Sequence, residues 1–313
     1  MDNARDSVSE TTSADGSAVG PAGAVPRERP RWLRRLIQGW VERPLLYVLV
    51  IGGSLLMAFP LFWMLSTSFK TEAEANAPQL VWLPKVPQLE AYLHIFADER
   101  FLRSYFNSVF VAILALAGTL LSIAAVSYAF SRIEWPGRNL VFFLMLSTMM
   151  IPAQALIVPQ YVFFNKLRWI GTFNPITIPG FFAGGAAMIF LLRQFMSQIP
   201  KELDEAAIMD GATHLQIWWH VIMPLSKPAI ATIATFLFVG TWNSLLNPVI
   251  YLQSSKLYTL PIYVASLVNP QNSYQPWPTI MAASVLTTLP LIIVFFFAQR
   301  YLLESIVLSG SKG

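Results

Sequence analysis

The sequence lacks cysteine and is poor in charged residues and in histidine. With 0 Cys among 313 residues, the chain cannot form a disulfide, a thiol nucleophile or a thiolate metal site. Charged residues make up 12%, about half the usual share in soluble domains, while hydrophobic residues reach 55% and the mean hydropathy is +0.53. The three histidines, His94, His214 and His220, are spread along the chain, so no metal site is predicted. This composition predicts an integral membrane protein.

The sequence also lacks the motifs of several enzyme classes. No GxxxxGKS/T motif is present, which excludes nucleotide hydrolysis through a P-loop of this chain, and HExxH and GxSxG are absent as well. Paired carboxylates are missing from the apolar runs, whereas ion-coupled transporters usually carry ionisable residues in their spans. We therefore predict a protein that is not an enzyme, uses no cofactor and binds no nucleic acid.

Six apolar runs have close to the length of about 20 residues that a helix needs to cross a bilayer. They cover residues 45–66, 107–130, 140–160, 176–195, 228–251 and 279–302. The third run contains Pro152 and the fourth has a glycine-rich middle, and both residue types are tolerated where neighbouring helices satisfy the backbone. The pattern predicts an all-α membrane protein with six transmembrane helices within residues 44–303.

The segments outside the spans have a different composition. Residues 1–30 are rich in Ser, Ala, Gly and Pro, which predicts a disordered tail. Residues 31–43 carry Trp and Leu at helical spacing among arginines. They are either an amphipathic helix at the membrane interface or the basic start of the first span. Residues 304–313 are predicted to be a C-terminal tail.

Lys and Arg are distributed unequally between the two sides of the predicted helices. With the N-terminus inside, two thirds of the 21 Lys and Arg residues fall on the cytoplasmic side. Because positive residues concentrate in cytoplasmic loops, both termini are predicted to be cytoplasmic. The same orientation places the loop of residues 200–227 in the cytoplasm.

Residues 201–224 are the longest polar to amphipathic interruption on that side, and we call them the EAA segment after the run at 205–207. Acidic residues crowd its start and favour the dipole of a helix there. Gly211 predicts a break, and Thr213 followed by Gln216 matches the capping box of a second helix. Two short helices joined at Gly211 are therefore either a docking element for a soluble partner or a re-entrant or interfacial hairpin.

The order of residues in the EAA segment resembles the EAA loop of ABC-importer permeases. Glu205, Ala206 and Ala207 are followed after three residues by Gly211, and after nine more by residues 221–224, Val-Ile-Met-Pro, in place of the usual Ile-x-Leu-Pro. Other stretches are similar to the carbohydrate-uptake family of these permeases, so the resemblance runs from about residue 44 to the end. They are residues 66–71, 128–139, 148–152, 190–209, 258–261 and 299–313.

The resemblance implies the six-span type I ABC importer permease fold in a prokaryotic cell membrane. It implies a second, homologous permease subunit, an ABC ATPase dimer, an extracytoplasmic solute-binding protein and a sugar substrate as partners in the lipid bilayer. It further implies that the C-terminal residues 309–313 reach toward the ATPase dimer. The residues implied to couple this chain to the ATPase are Glu205, Ala206, Ala207, Asp210, Gly211, Leu215 and Pro224.

Polar and aromatic residues in the apolar runs are candidates for a translocation pathway, although each is equally a candidate for packing between helices. They are Gln154, Gln160, Tyr161, Trp242, Asn243, Ser244, Asn247 and Tyr251. At 242–244 the chain has Trp-Asn-Ser, where the family often has an acidic residue after Trp-Asn, so an acidic sugar contact is not expected there.

These features predict a permease subunit that imports a sugar or sugar-derived solute and is driven by ATPase subunits acting through the EAA segment. Two other functional classes remain compatible with the residues alone. One is an ion-coupled secondary transporter, and the other is a membrane scaffold without a transport role.

Overall fold

The computed structural model describes residues 43–182, 184–268, 271 and 275–310. Within these residues, the regular elements are all helical, as the sequence predicts. The predicted tail 1–30, the basic segment 31–42 and residues 311–313 lie outside the described residues.

The helices vary widely in length, and short 3-10 turns extend several of them. In chain order they are α1 (Arg43–Ser68), α2 (Glu72–Ala75), α3 (Glu90–Ala97), α4 (Glu99–Arg132), α5 (Arg138–Ser147), α6 (Ile157–Lys166), α7 (Asn174–Thr177), α8 (Ala186–Met196), α9 (Glu202–Met209), α10 (His214–Ile217), α11 (Met223–Leu225), α12 (Lys227–Trp242), α13 (Leu246–Tyr251), α14 (Leu260–Leu267) and α15 (Trp277–Gly310).

By length and composition, four helical stretches of the described chain could cross a membrane, or up to six if each of two bent pairs of helices forms one span. The four are Pro44–Ser68, Glu99–Arg132, Asn174–Met196 and Trp277–Tyr301. The chain divides into two compact units at Pro60, inside α1. The described part of the first unit is one apolar helix with exposed side chains, and the second unit contains all the remaining helices.

Helix α4 contributes to both hydrophobic cores of the second unit. Its C-terminal half, including Ile123 and Tyr128, packs with buried residues of α8, α10 and α12. Its N-terminal half, including Phe101 and Ala112, packs with residues of α3, α14, α15 and the end of α12. The two clusters lie at different levels along one helix, so α4 is the element that the rest of the unit is packed around.

The predicted third span is broken. Two helical pieces, Arg138–Met150 and Ala153–Lys166, meet at an angle of 92°. Ile151, which precedes Pro152, is extended with ψ of 118°. Because a proline disfavours the helical conformation in the residue before it and has no N–H to donate, the helix ends there. The prediction of one span interrupted by proline was correct in position but did not include the right-angle bend.

The predicted fifth span, residues 228–251, is not one continuous helix in the structure. Helix α12 ends at Trp242, and α13 begins at Leu246. Pro248 explains the break, since its ring would clash with the carbonyl of Ser244 in a continuous helix. The predicted sixth span, 279–302, is longer in the structure, because α15 continues to Gly310 through the first part of the predicted tail.

Small residues allow the start of the predicted fourth span to approach α4 closely. A Cβ atom at Gly180 would overlap the hydroxyl of Thr119, and one at Gly184 would lie 3.0 Å from the Cγ2 methyl of Thr119. Close approach through small residues is a usual way for helices to associate in membranes.

We expect Gly180→Val to destabilise the protein by about 1–3 kcal/mol, the usual cost of overpacking. The midpoint of thermal unfolding of the purified chain in detergent measures this effect. Gly240→Val is the matched control, because no atom lies within 4 Å of a Cβ placed at Gly240. Equal midpoints for the two variants would contradict the close packing at Gly180.

Candidate coupling segment and pathway residues

The EAA segment consists of two short helices that meet at Gly211, as predicted. Helix α9 ends at Met209, and Gly211 has a φ of +83°, a left-handed conformation that favours glycine. The side chain of Thr213 accepts from the backbone N–H of Gln216, while the Gln216 side chain accepts from the N–H of Thr213 at 2.8 Å. This capping box starts α10 and confirms the second predicted helix.

The second helix, α10, continues as a π-helical turn. One face of this continuous stretch is buried in the protein core. Ile217 is 1% exposed and packs with the buried Trp218 and Ile222 against α4 and α8. The turn Trp218–Ile222 is π-helical, which no feature of the sequence predicted. Pro224 lies inside the short helix α11 instead of after the last helix of the segment.

Other side chains of the EAA segment are exposed, and they include both polar and apolar residues. The side chain of Met209 is 87% exposed and that of Leu215 is 69% exposed. The Glu205 and Ala206 side chains are also exposed, whereas Ala207 is half-buried against the core. Ala206 and Leu215 are therefore exposed, whereas the neighbouring Trp218 belongs to the protein core.

An open cleft of about 290 Å³ lies beside the turn between the two helices. Its lining residues include Asp210, Gly211, Gln216, His220 and Val221. Asp210 follows α9 directly and is exposed.

Side chains of helix α4 contact both α9 and α10 of the EAA segment. The Nη1 atom of Arg132 lies 3.1 Å from Oδ2 of Asp204 in α9. One turn earlier in α4, the Tyr128 hydroxyl lies 3.5 Å from Nδ1 of His214 in α10. No feature of the sequence predicts this ion pair, because a basic residue at the end of a span and an acid in a distant loop cannot be paired without the fold.

The pathway candidates are not gathered in one place. Ser244 and Asn247 line a cavity of about 230 Å³ in which Ser108 and Thr259 also take part. The Thr259 hydroxyl is buried and has no hydrogen-bond partner within the described structure. This small polar cavity lies at the break between α12 and α13, and Asn243 beside it is exposed.

Tyr161 belongs to a different group of aromatic residues. Its ring stacks on Tyr251 with centroids 6.4 Å apart, and its hydroxyl accepts from Nε2 of Gln253 at 3.3 Å. Gln154 and Gln160 are exposed in the same stretch of chain, and Tyr251 is buried. None of these four pathway candidates lines the cavity at Ser244.

Trp242 is buried in the core, and the prediction of a sugar-contacting face there is corrected. Its ring stacks on Phe238 at 5.4 Å between centroids, and its edge faces Tyr105. Its Nε1 donates to the carbonyl of Thr287 at 3.0 Å. Trp242 therefore joins α12 to α4 and α15 through packing and one hydrogen bond.

We expect a cysteine at position 215 to react quickly with a maleimide, because Leu215 is exposed. A cysteine at the buried position 217 should react at least about tenfold more slowly. The natural chain has no cysteine and is the unlabelled control. Labelling rates of Leu215→Cys and Ile217→Cys in the purified protein are compared by mass spectrometry. Equal rates in two variants with the same elution volume would contradict the assignment of the two faces.

Comparisons with known proteins agree with this architecture. The family model of the binding-protein-dependent transport system inner membrane component matches residues 118–307. The arabinooligosaccharides transport permease AraQ of Halalkalibacterium halodurans is 33% identical over 274 residues, which cover 85% of this chain and 96% of that protein. The trehalose/maltose transport permease MalG of Thermococcus litoralis is 31% identical over 281 residues, with 87% and 99% covered.

A solved structure gives the same result for the fold. A chain of a bacterial ABC transporter involved in the import of the acidic polysaccharide alginate matches with a TM-score of 0.75 and 28% identity, over 83% of this chain and 96% of that chain. The relatives of the present chain are named as transport system permeases, which are transport subunits and not enzymes. The chain belongs to the family of binding-protein-dependent transport system inner membrane components, as a multi-pass permease subunit of the carbohydrate ABC importer type.

Proposed function

We propose that this chain is one of two membrane subunits that import a sugar or sugar-derived solute into the cytoplasm, and that partner ATPases drive it through the EAA segment. The observation that carries the proposal is the two-sided structure of that segment. One face, with Ile217, is built into the core around α4, and the other, with Met209 and Leu215, is exposed. A segment of this kind can bind a soluble partner and pass its movement to the spans.

The proposed mechanism is alternating access. ATP binding closes the two ATPase subunits, and this favours one orientation of the permease pair over the other. The ATPase can shift that equilibrium only through contacts that differ between the two orientations. The exposed side chains of the EAA segment are the contacts we assign to it.

The partners follow from the family. We infer a second, homologous permease subunit, an ABC ATPase dimer and an extracytoplasmic solute-binding protein. Both termini and the loop 200–227 lie in the cytoplasm of a prokaryotic cell in this proposal, in keeping with the distribution of Lys and Arg. The sugar class is supported by the names of the relatives, which include arabino-oligosaccharides, trehalose and maltose.

The polar residues at the break after α12 are the part of the pathway that the geometry favours. Asn243 and Asn247 are exposed at this break, and Ser244 lines the small cavity beside it. Side chains with donors and acceptors at this position suit the hydroxyl groups of a sugar. Gln154 and Tyr161 remain candidates at a second position, and Trp242 is omitted because it is buried.

We expect Gly211→Pro to abolish sugar uptake while the protein still inserts in the membrane. Proline fixes φ near −65°, which is incompatible with the φ of +83° at Gly211, and it removes the N–H that donates to the carbonyl of Ile208 at 2.9 Å. Glu205→Lys should have the same effect, since it reverses an exposed charge on the contact face. The measurement is uptake of labelled arabino-oligosaccharides, trehalose and maltose in cells without redundant importers.

Gly211→Asn is the matched control, because asparagine tolerates the left-handed conformation, and we expect it to retain most uptake. Membrane amounts of each variant are determined by immunoblot. Normal uptake by Gly211→Pro at normal membrane amounts would refute the assignment of the EAA segment.

The source of energy separates the proposal from ion-coupled transport. We expect vesicles that contain ATP to import sugar when the membrane potential and ion gradients are collapsed, and ATP-depleted vesicles with intact gradients to import none. The reverse result would identify an ion-coupled transporter. A complex in which sugar-loaded binding protein fails to stimulate ATP hydrolysis would instead indicate a membrane scaffold.

A further inference from the structure

Arg132, the last residue of α4, makes the most buried ion pair among the four within the described residues. Its side chain is 3% exposed and that of Asp204 is 16% exposed, and Nη1 lies 3.1 Å from Oδ2. The Lys201–Glu134 pair nearby is 3.6 Å long and largely exposed on both sides. Because an exposed pair contributes about 0–1 kcal/mol, Arg132 is the charged residue that can fix the position of the EAA segment.

The same guanidinium binds the end of a third helix. Its Nη2 donates to the carbonyl of Met196 at 2.6 Å and to the carbonyl of Ile199 at 2.7 Å. The last carbonyls of a helix have no partner within the helix and carry a partial negative charge, so they attract a cation. One side chain of α4 therefore joins the C-terminal end of α8 to Asp204 of α9.

The ion pair is incompletely satisfied. Nε of Arg132 and Oδ1 of Asp204 are both buried, and neither has a hydrogen-bond partner in the described structure. A buried pair with unpaired atoms adds little net stability, and apolar residues of similar size often replace such pairs without loss. The arrangement is therefore better explained by the position that it imposes on α9 than by a contribution to folding.

We propose that Arg132 is a positioning residue that fastens α9 to the ends of α4 and α8, so that a displacement of the EAA segment moves both spans together. The inference rests on the proposed function and adds the residue that passes the movement on. Tyr128, one turn away, holds α10 through His214 and fastens the second helix to the same span. Without the Arg132 contacts, α9 remains tied mainly by its chain connections and by the half-buried Ala207.

The test is the double variant Arg132→Met with Asp204→Leu, which removes both charges and leaves apolar side chains in their place. We expect its thermal midpoint to fall only moderately, because apolar contacts replace the buried pair while the carbonyls of Met196 and Ile199 lose the Nη2 donor. We expect the assembled complex to hydrolyse ATP but to import about fivefold less sugar per ATP hydrolysed. The complex is reconstituted in proteoliposomes with whichever of arabino-oligosaccharides, trehalose and maltose the natural complex imports.

Arg132→Lys is the conservative control. Lysine retains the charge but has no planar fork for two carbonyls and a carboxylate, so we expect an import ratio between those of the natural chain and the double variant. A double variant that imports as much sugar per ATP as the natural chain would overturn the inference. A loss of ATP hydrolysis and of thermal stability together would also overturn it, because Arg132 would then act only in folding.

Different results would refute the proposed function and the proposed role of Arg132. If the natural complex imports no sugar with ATP, the proposed function is wrong. If the natural complex imports sugar and Gly211→Pro abolishes this, while the double variant is normal, only the role of Arg132 is wrong.

Discussion

Backbone N–H and C=O groups must find partners within the protein wherever they lie in the apolar part of a membrane. Here polar side chains of the uninterrupted helix α4 bind several main-chain groups of neighbouring elements. Ser127 donates to the carbonyl of Ile189 at 3.1 Å, and the N–H of Leu260, at the start of α14, donates to the hydroxyl of Ser108 at 2.7 Å. Asn107 donates to two further carbonyls in the loop before α14. One continuous helix therefore supplies hydrogen-bond partners to main-chain groups of α8, of α14 and of the loop before α14.

The same arrangement explains why the EAA segment can carry two functions at once. Its inner face belongs to the core around Ile123 and Tyr128 of α4, so it is held by the same packing that holds α8 and α12. Met209 and Leu215, by contrast, are exposed. The left-handed Gly211 sets the angle between the two helices, and this angle decides which side chains face outward.

The sequence predicted the elements better than their contacts. The six apolar runs, the break at Gly211 and the capping box at Thr213 depend on local preferences and could be read from neighbouring residues. Pro152 was recognised, but the 92° bend depends on what the two pieces pack against. Trp242 was interpreted as a pathway residue because an aromatic ring beside Asn243 suits a sugar, and only the packing around Phe238 shows that its ring is buried. Pairs of distant residues, such as Arg132 with Asp204, require the fold.

Two arginines at the ends of spans illustrate how charge is used in this chain. Arg193 in α8 donates from Nε to the carbonyl of Phe130 at 3.2 Å, and its guanidinium lies 4.1 Å from the ring centroid of Phe142. Arg132 in α4 donates to the carbonyl groups of Met196, the last residue of α8, and of Ile199, which follows it. Each arginine thus binds main-chain oxygen at the end of the other helix, and the two ends are joined in both directions. In the mechanism that we propose, a partner that displaces α9 acts on this paired helix end, so the movement reaches two spans at once.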